Sequence, residues 1–171
     1  MAQTHNIQVQ APGKLTYQGK NYRCSLGKGD VTTDKQEGDG ATPLGTFKLR
    51  EVFYRPDRLK QPKTSLPVSP LRPEDGWSDD PNQRDYNKKI ALPHPGRSED
   101  LWRKDAIYDV IVVIGYNDSP PQKAKGSAIF MHVAKQDYSP TEGCVALKQA
   151  DLLEILETLT ADSQIEISAA P

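Results

Sequence analysis

Apolar and polar positions alternate through the first fifty residues. "NIQVQ" (6–10) alternates, and "KLTYQGKNYRCSLGKGD" (14–30) reads as a hairpin turning around Gly19. "GTFKLREVFYR" (45–55) is a longer β-type run. Between them, "DKQEGDGATPLG" (34–45) is so dense in Gly, Asp and Pro that it is expected to be a loop. From Arg55 to Asp105 the periodicity fades, and eight of the fourteen prolines fall there together with Trp77, Tyr86 and Trp102. A stretch this long without a period is either disordered or functional. Its spaced aromatics favour an ordered loop that walls a cleft or covers a β-layer. "YDVIVVIGYN" (108–117) and "SAIFMHVA" (127–134) then read as buried strands. In "KQADLLEILETLT" (148–160), Leu152, Leu153, Ile155, Leu156 and Leu159 make one apolar helical face, and "QIEIS" (164–168) closes as a strand. The pattern predicts a single mainly-β domain over residues 1–171, with one helix near its end.

Composition narrows the function classes. The 171 residues are 36% hydrophobic and 26% charged with formal charge −1, which gives no electrostatic footprint for nucleic acid. The longest apolar run, "VIVVI" (110–114), is too short for a membrane span. "MAQTHNIQVQAPG" has no positive segment followed by an apolar one, so a cytoplasmic location is expected. An export sequence removed ahead of Met1 would leave the same start and a periplasmic protein. Two cysteines are too few for a disulfide framework, and three scattered histidines give no zinc-type ligand spacing.

The chemistry concentrates in "FMHVAKQDYSPTEGCVALKQADLL" (130–153). Cys24 lies in a strand pattern and reads as core. Cys144 follows a glycine, precedes a helix-forming segment and comes after a Pro-containing turn. Such a tight loop can expose a thiol while backbone N–H groups converge beside it, lowering the thiol pKa and later holding an oxyanion. His132, twelve residues upstream at the end of a strand, is placed to be the base. On residues alone, two readings stand: a nucleophile with its base, or two structural residues.

The segment "MHVA…SPTEGCVAL" resembles the signature of the L,D-transpeptidase catalytic domain, the YkuD family. Thr141, Gly143, Cys144 and Val145 match its Ser/Thr, glycine, nucleophile and hydrophobic positions, and His132 matches its upstream histidine. "GDGATPLGTF" (38–47) resembles a second segment of that family through Asp39, Thr42, Pro43, Gly45 and Phe47. The chain departs from the pattern at Glu142, where the family has a second histidine, and at Ala146, where it has Arg or Asn.

The resemblance implies a mainly-β sandwich with the helix after the cysteine loop, a long Pro-rich cleft loop, and no metal or cofactor. It implies acyl transfer on a peptidoglycan stem peptide, the partner expected for this chain. Cys144 would attack the carbonyl of the third residue, a diamino acid, and D-Ala would leave. The N–H groups of Gly143 and Cys144 would hold the oxyanion, and a backbone carbonyl, of Val133 or Ala134, would orient His132. Thr141 supports the motif, and Glu142, at the position of the second histidine, would orient a neighbour or raise the cysteine pKa. Trp77, Arg84, Tyr86 and Lys135 are expected substrate contacts, with Arg84 or Lys135 taking the D-Ala carboxylate. Water as acceptor makes an L,D-carboxypeptidase in cytoplasmic muropeptide recycling; an amine makes a cross-linking L,D-transpeptidase. A non-catalytic peptide-binding module and a general cysteine peptidase remain as alternatives.

Overall fold

The computed structural model describes residues 5–171, so the first four residues of the expected domain lie outside it. Strands β1 (Ile7–Gln10), β2 (Lys14–Tyr17) and β3 (Lys20–Ser25) form from the opening alternation. β4 (Val31–Thr32) and β5 (Thr42–Pro43) flank the glycine-rich segment, and β6 (Gly45–Tyr54) is the long run that follows. β7 (Val68–Pro70), β8 (Asp75–Ser78), β9 (Lys89–Ala91) and β10 (Ser98–Asp100) are short. β11 (Val110–Ile114), β12 (Phe130–Val133) and β13 (Val145–Leu147) carry the buried runs. Helix α1 (Gln149–Leu156) and β14 (Gln164–Ser168) complete the chain.

The main sheet has the order β11-β12-β13-β3-β2-β1-β14-β6-β7, and β6 also pairs with β11. The length of β6 makes this possible. Its first half pairs with β14 and its second half, from Leu49 to Tyr54, pairs with β11. The sheet therefore folds back on itself as two layers, and the apolar core lies between them. Helix α1 closes that core with Leu152, Ile155 and Leu156, all fully buried. The helix is shorter than the expected segment, ending at Leu156, but Leu159 is still buried in the turn that follows.

"VIVVI" is buried throughout because β11 is covered on both faces. Val110, Val112 and Ile114 face the main core, whereas Ile111 and Val113 face a second cluster with Phe53, Leu71, Trp77 and Phe130. That second cluster lies under the region expected to be a long loop. The region is instead partly a three-stranded sheet of order β10-β8-β9, together with β7 on the edge of the main sheet. Strands of three or four residues bounded by prolines are too short to show a period, which is why the pattern hid them.

Candidate active site

Strand alternation brings the two candidate catalytic residues together. β12 and β13 are parallel neighbours in which His132 lies opposite Ala146. On β12, Met131 and Val133 face the main core, so Phe130 and His132 face the other way. By the same period Val145 and Leu147 face the core, and Cys144 and Ala146 share the face of His132. His132 on β12 and Cys144, the residue just before β13, thus share one face, two residues apart along the strand direction. Both line a cavity of about 550 Å³.

The turn before Cys144 is fixed by its neighbours. Thr141 N–H donates to the Leu26 carbonyl at 2.9 Å, and Lys28 N–H donates to the Thr141 carbonyl at 2.8 Å. Thr141 Oγ1 donates to the Cys144 carbonyl at 2.7 Å and accepts from Gly143 N–H at 3.0 Å. Gly143 has φ +129°, and a Cβ there would come within 2.7 Å of the Ala41 carbonyl oxygen, so no other residue fits. Ala41 belongs to the second motif segment, and its neighbour Thr42 accepts Gly27 N–H at 2.8 Å on Oγ1. The two motif segments, a hundred residues apart in the chain, therefore meet behind the cysteine.

His132 Nδ1 lies 3.0 Å from the Val133 carbonyl, the contact expected of it. With Nδ1–H donating there, Nε2 presents its lone pair. Burial holds the imidazole pKa down, to about 4, so the ring is neutral at neutral pH. The Tyr108 ring meets it edge-on at 5.3 Å.

Cys144 differs from expectation. Its thiol donates to the Ala128 carbonyl at 3.2 Å and accepts from Phe130 N–H at 3.4 Å. Burial and the nearby Glu99 push its pKa up to about 12, rather than converging N–H groups lowering it. One amide, Phe130 N–H, does act in the lowering direction, but desolvation outweighs it. Among the described residues no hydrogen bond joins Cys144 to His132.

Other expected contacts are redistributed. Gly143 N–H is committed to Thr141 Oγ1, which corrects its assignment as a free oxyanion donor. Glu142 turns outward to Lys28 at 2.9 Å with a side chain 77% exposed, so it only touches the cavity rim. Trp77 is core: its ring packs edge-on against Phe130 at 5.0 Å and its Nε1–H donates to Asn87 Oδ1 at 2.9 Å. An indole with its N–H satisfied inside the fold has nothing left to offer a peptide. Arg84 is exposed and does not line the cavity. Tyr86 is buried behind the wall, where its hydroxyl donates to Glu37 Oε1 at 2.6 Å. Lys135 does line the cavity, as expected. His94 is away from it, with Nε2 2.9 Å from Asp85 Oδ2.

Several cavity residues went unread in the sequence: Glu37, Asp79, Arg97, Glu99, Arg103 and Tyr108. Asp79, Arg97 and Glu99 come from the small sheet and the turns beside it, so the proline-rich region does wall the cleft.

The cavity thus sets a thiol and a neutral imidazole on one face behind a shared loop. The profile of the L,D-transpeptidase catalytic domain (YkuD) matches residues 3–167. The chain belongs to the YkuD family. Its fold is the family's, mainly β with one helix. Among solved structures it is similar to the helical cell shape determining protein Pgp2 from Campylobacter jejuni, at 13% identity and TM-score 0.46 over 96% of this chain and 47% of that one. It is also similar to L,D-transpeptidase 1 from Mycobacterium tuberculosis, at 12% identity and TM-score 0.43 over 95% of this chain and 60% of that one. The chain thus corresponds to about half the length of these structures. A comparison with curated proteins gives no match.

Proposed function

We propose that this YkuD-family protein is a cysteine L,D-carboxypeptidase that trims tetrapeptide stems of peptidoglycan to tripeptides. The observation that carries the reading is the shared face of Cys144 and His132, with Nδ1 tied to Val133 and Nε2 left as the base. The thiol rotates from Ala128 towards His132, and Nε2 takes its proton. Sγ then forms a bond to the carbonyl carbon of the third residue, and the oxyanion is held by Cys144 N–H. His132 returns the proton to the departing D-Ala nitrogen as the C–N bond breaks, leaving a thioester. Water, deprotonated by His132, attacks that thioester and releases the tripeptide carboxylate and the thiol.

Lys135 supports recognition of a C-terminal D-Ala, the leaving group of the acylation step that hydrolysis and cross-linking share. It lines the cavity and, among the described residues, makes no ion pair, so its charge is available for the D-Ala carboxylate. Released stem peptides are the substrate such recognition selects, and a cytoplasmic site belongs to the same proposal. Incubation with a tetrapeptide, alone and with a second stem peptide as acceptor, tests it by mass spectrometry. Tripeptide and free D-Ala are the expected products in both arms. Dimers linked through two diamino residues and accumulating faster than tripeptide would overturn hydrolysis in favour of transpeptidation.

A further inference from the structure

The cavity walls carry four carboxylates besides the nucleophile and base, and they differ in what neutralises them. Asp79 pairs with Arg97 at 3.1 Å, and Glu142 pairs with Lys28 at 2.9 Å. Glu37 likewise has no cation within ion-pair distance among the described residues, but two hydroxyls, of Tyr86 and Ser127, hold it, each at 2.6 Å. Glu99 accepts the Tyr108 hydroxyl on Oε1, and among the described residues it has no cation within ion-pair distance. Arg103, the cation nearest in character, is committed to Asp105 at 2.7 Å and lies over the Tyr108 ring, 5.5 Å from its centroid.

Tyr108 connects Glu99 to the reaction centre, because its ring also packs on His132 and its hydroxyl holds the carboxyl in place. A half-buried carboxylate facing a reaction cavity without a counterion is costly unless a ligand supplies one. No group of three metal-ligating side chains exists among the described residues, so a single compact organic cation fits better than a metal. An ammonium has three donors and a small charged head, which suits one carboxylate beside one phenol.

We propose that Glu99 is a specificity-determining residue that binds a side-chain ammonium on the acyl donor, next to the carbonyl Cys144 attacks. The inference rests on the stem-peptide reading above. It also bears on a resting thiol that ionises poorly, chiefly because it is buried and secondly because of Glu99. The Glu99 charge opposes Cys144 ionisation, whereas Lys35 favours it and Glu142 adds a smaller opposing share. Around Glu99 itself stand Tyr108, Arg103, Asp79 and Glu37. A bound ammonium cancels the charge of Glu99, so the correct donor removes part of the barrier to thiolate formation.

Binding to the full chain carrying Cys144→Ala tests this without turnover. Two tetrapeptides serve as probes, one with a free side-chain amine on its third residue and one with that amine acetylated. Calorimetry should give at least tenfold weaker binding for the acetylated peptide. Glu99→Gln in the same background should keep the Tyr108 contact and bring the two affinities within about threefold. A second readout is the pH profile of Cys144 alkylation in the otherwise native chain, which Glu99→Gln should move to lower pH. Equal binding of both peptides by the Cys144→Ala protein would overturn the role of Glu99 and leave the proposed function standing. Binding of neither would remove the stem-peptide reading, and this inference with it.

Discussion

His132 is buried as a neutral imidazole, and that choice has a thermodynamic signature. The unfolded chain carries a histidine near 6.5, whereas the folded one carries it near 4. Between those values the unfolded state binds the extra proton, so stability falls as pH falls from about 6.5 to about 4, and above 6.5 this residue contributes no slope. The accumulated loss is on the order of 3 kcal/mol, at 1.36 kcal/mol per decade of proton affinity. Glu99 acts with the opposite sign, since burial raises its pKa and proton uptake favours the fold. Replacing His132 by Gln should therefore shrink the drop in Tm between about pH 7 and about pH 4.5, measured by scanning calorimetry. Equal drops in the two proteins would mean that His132 is not buried neutral. At this scale the sequence was informative about Cys144 and His132 because motif residues carry identity. It was silent on the thiol's pKa, which depends on desolvation and on Glu99, a residue 45 positions away in the chain.

The element that turns position into chemistry is the loop from Thr141 to Cys144. Its shape depends on one hydroxyl that both donates to Cys144 and accepts from Gly143. Thr141→Val keeps the side-chain shape and removes both bonds. That should cost about 1–3 kcal/mol in denaturant unfolding, because two polar backbone groups lose a partner. Loosening of the nucleophile should lower kcat by roughly ten- to a hundredfold with KM little changed. A variant with normal kcat would show that the loop needs no such brace. The loop's neighbours were legible to different degrees. The strand holding His132 announced itself by its apolar run, and α1 by its apolar face, whereas β13, which begins just after Cys144 and spans three residues, was not expected. The β8–β10 sheet did not, because each of its strands spans three or four residues. Trp77, an expected substrate contact, was misplaced for the same reason, and Arg84 and Tyr86 fall in the turn between β8 and β9. Without the strand register, there was no way to tell that Trp77 points into the second core cluster while Glu99 reaches the cavity.

The molecule as a whole is a folded-back sheet with two apolar faces. One face packs into the main core with α1, and the other supports the small sheet and, at its edge, the reaction cavity. Chain order alone does not reveal this arrangement, since β6 must pair with both β14 and β11 to close it. The closure sets the face on which Cys144, His132 and Glu99 meet. The central claim is that Cys144 becomes acylated there by the stem peptide. Acid-quenched intact-mass analysis of the protein after brief mixing with a tetrapeptide, followed by peptide mapping, measures this directly. The account predicts a tripeptidyl thioester on Cys144, formed equally by a Cys24→Ala protein and absent from Cys144→Ala. Turnover without that adduct, or turnover that survives Cys144→Ala, would contradict it.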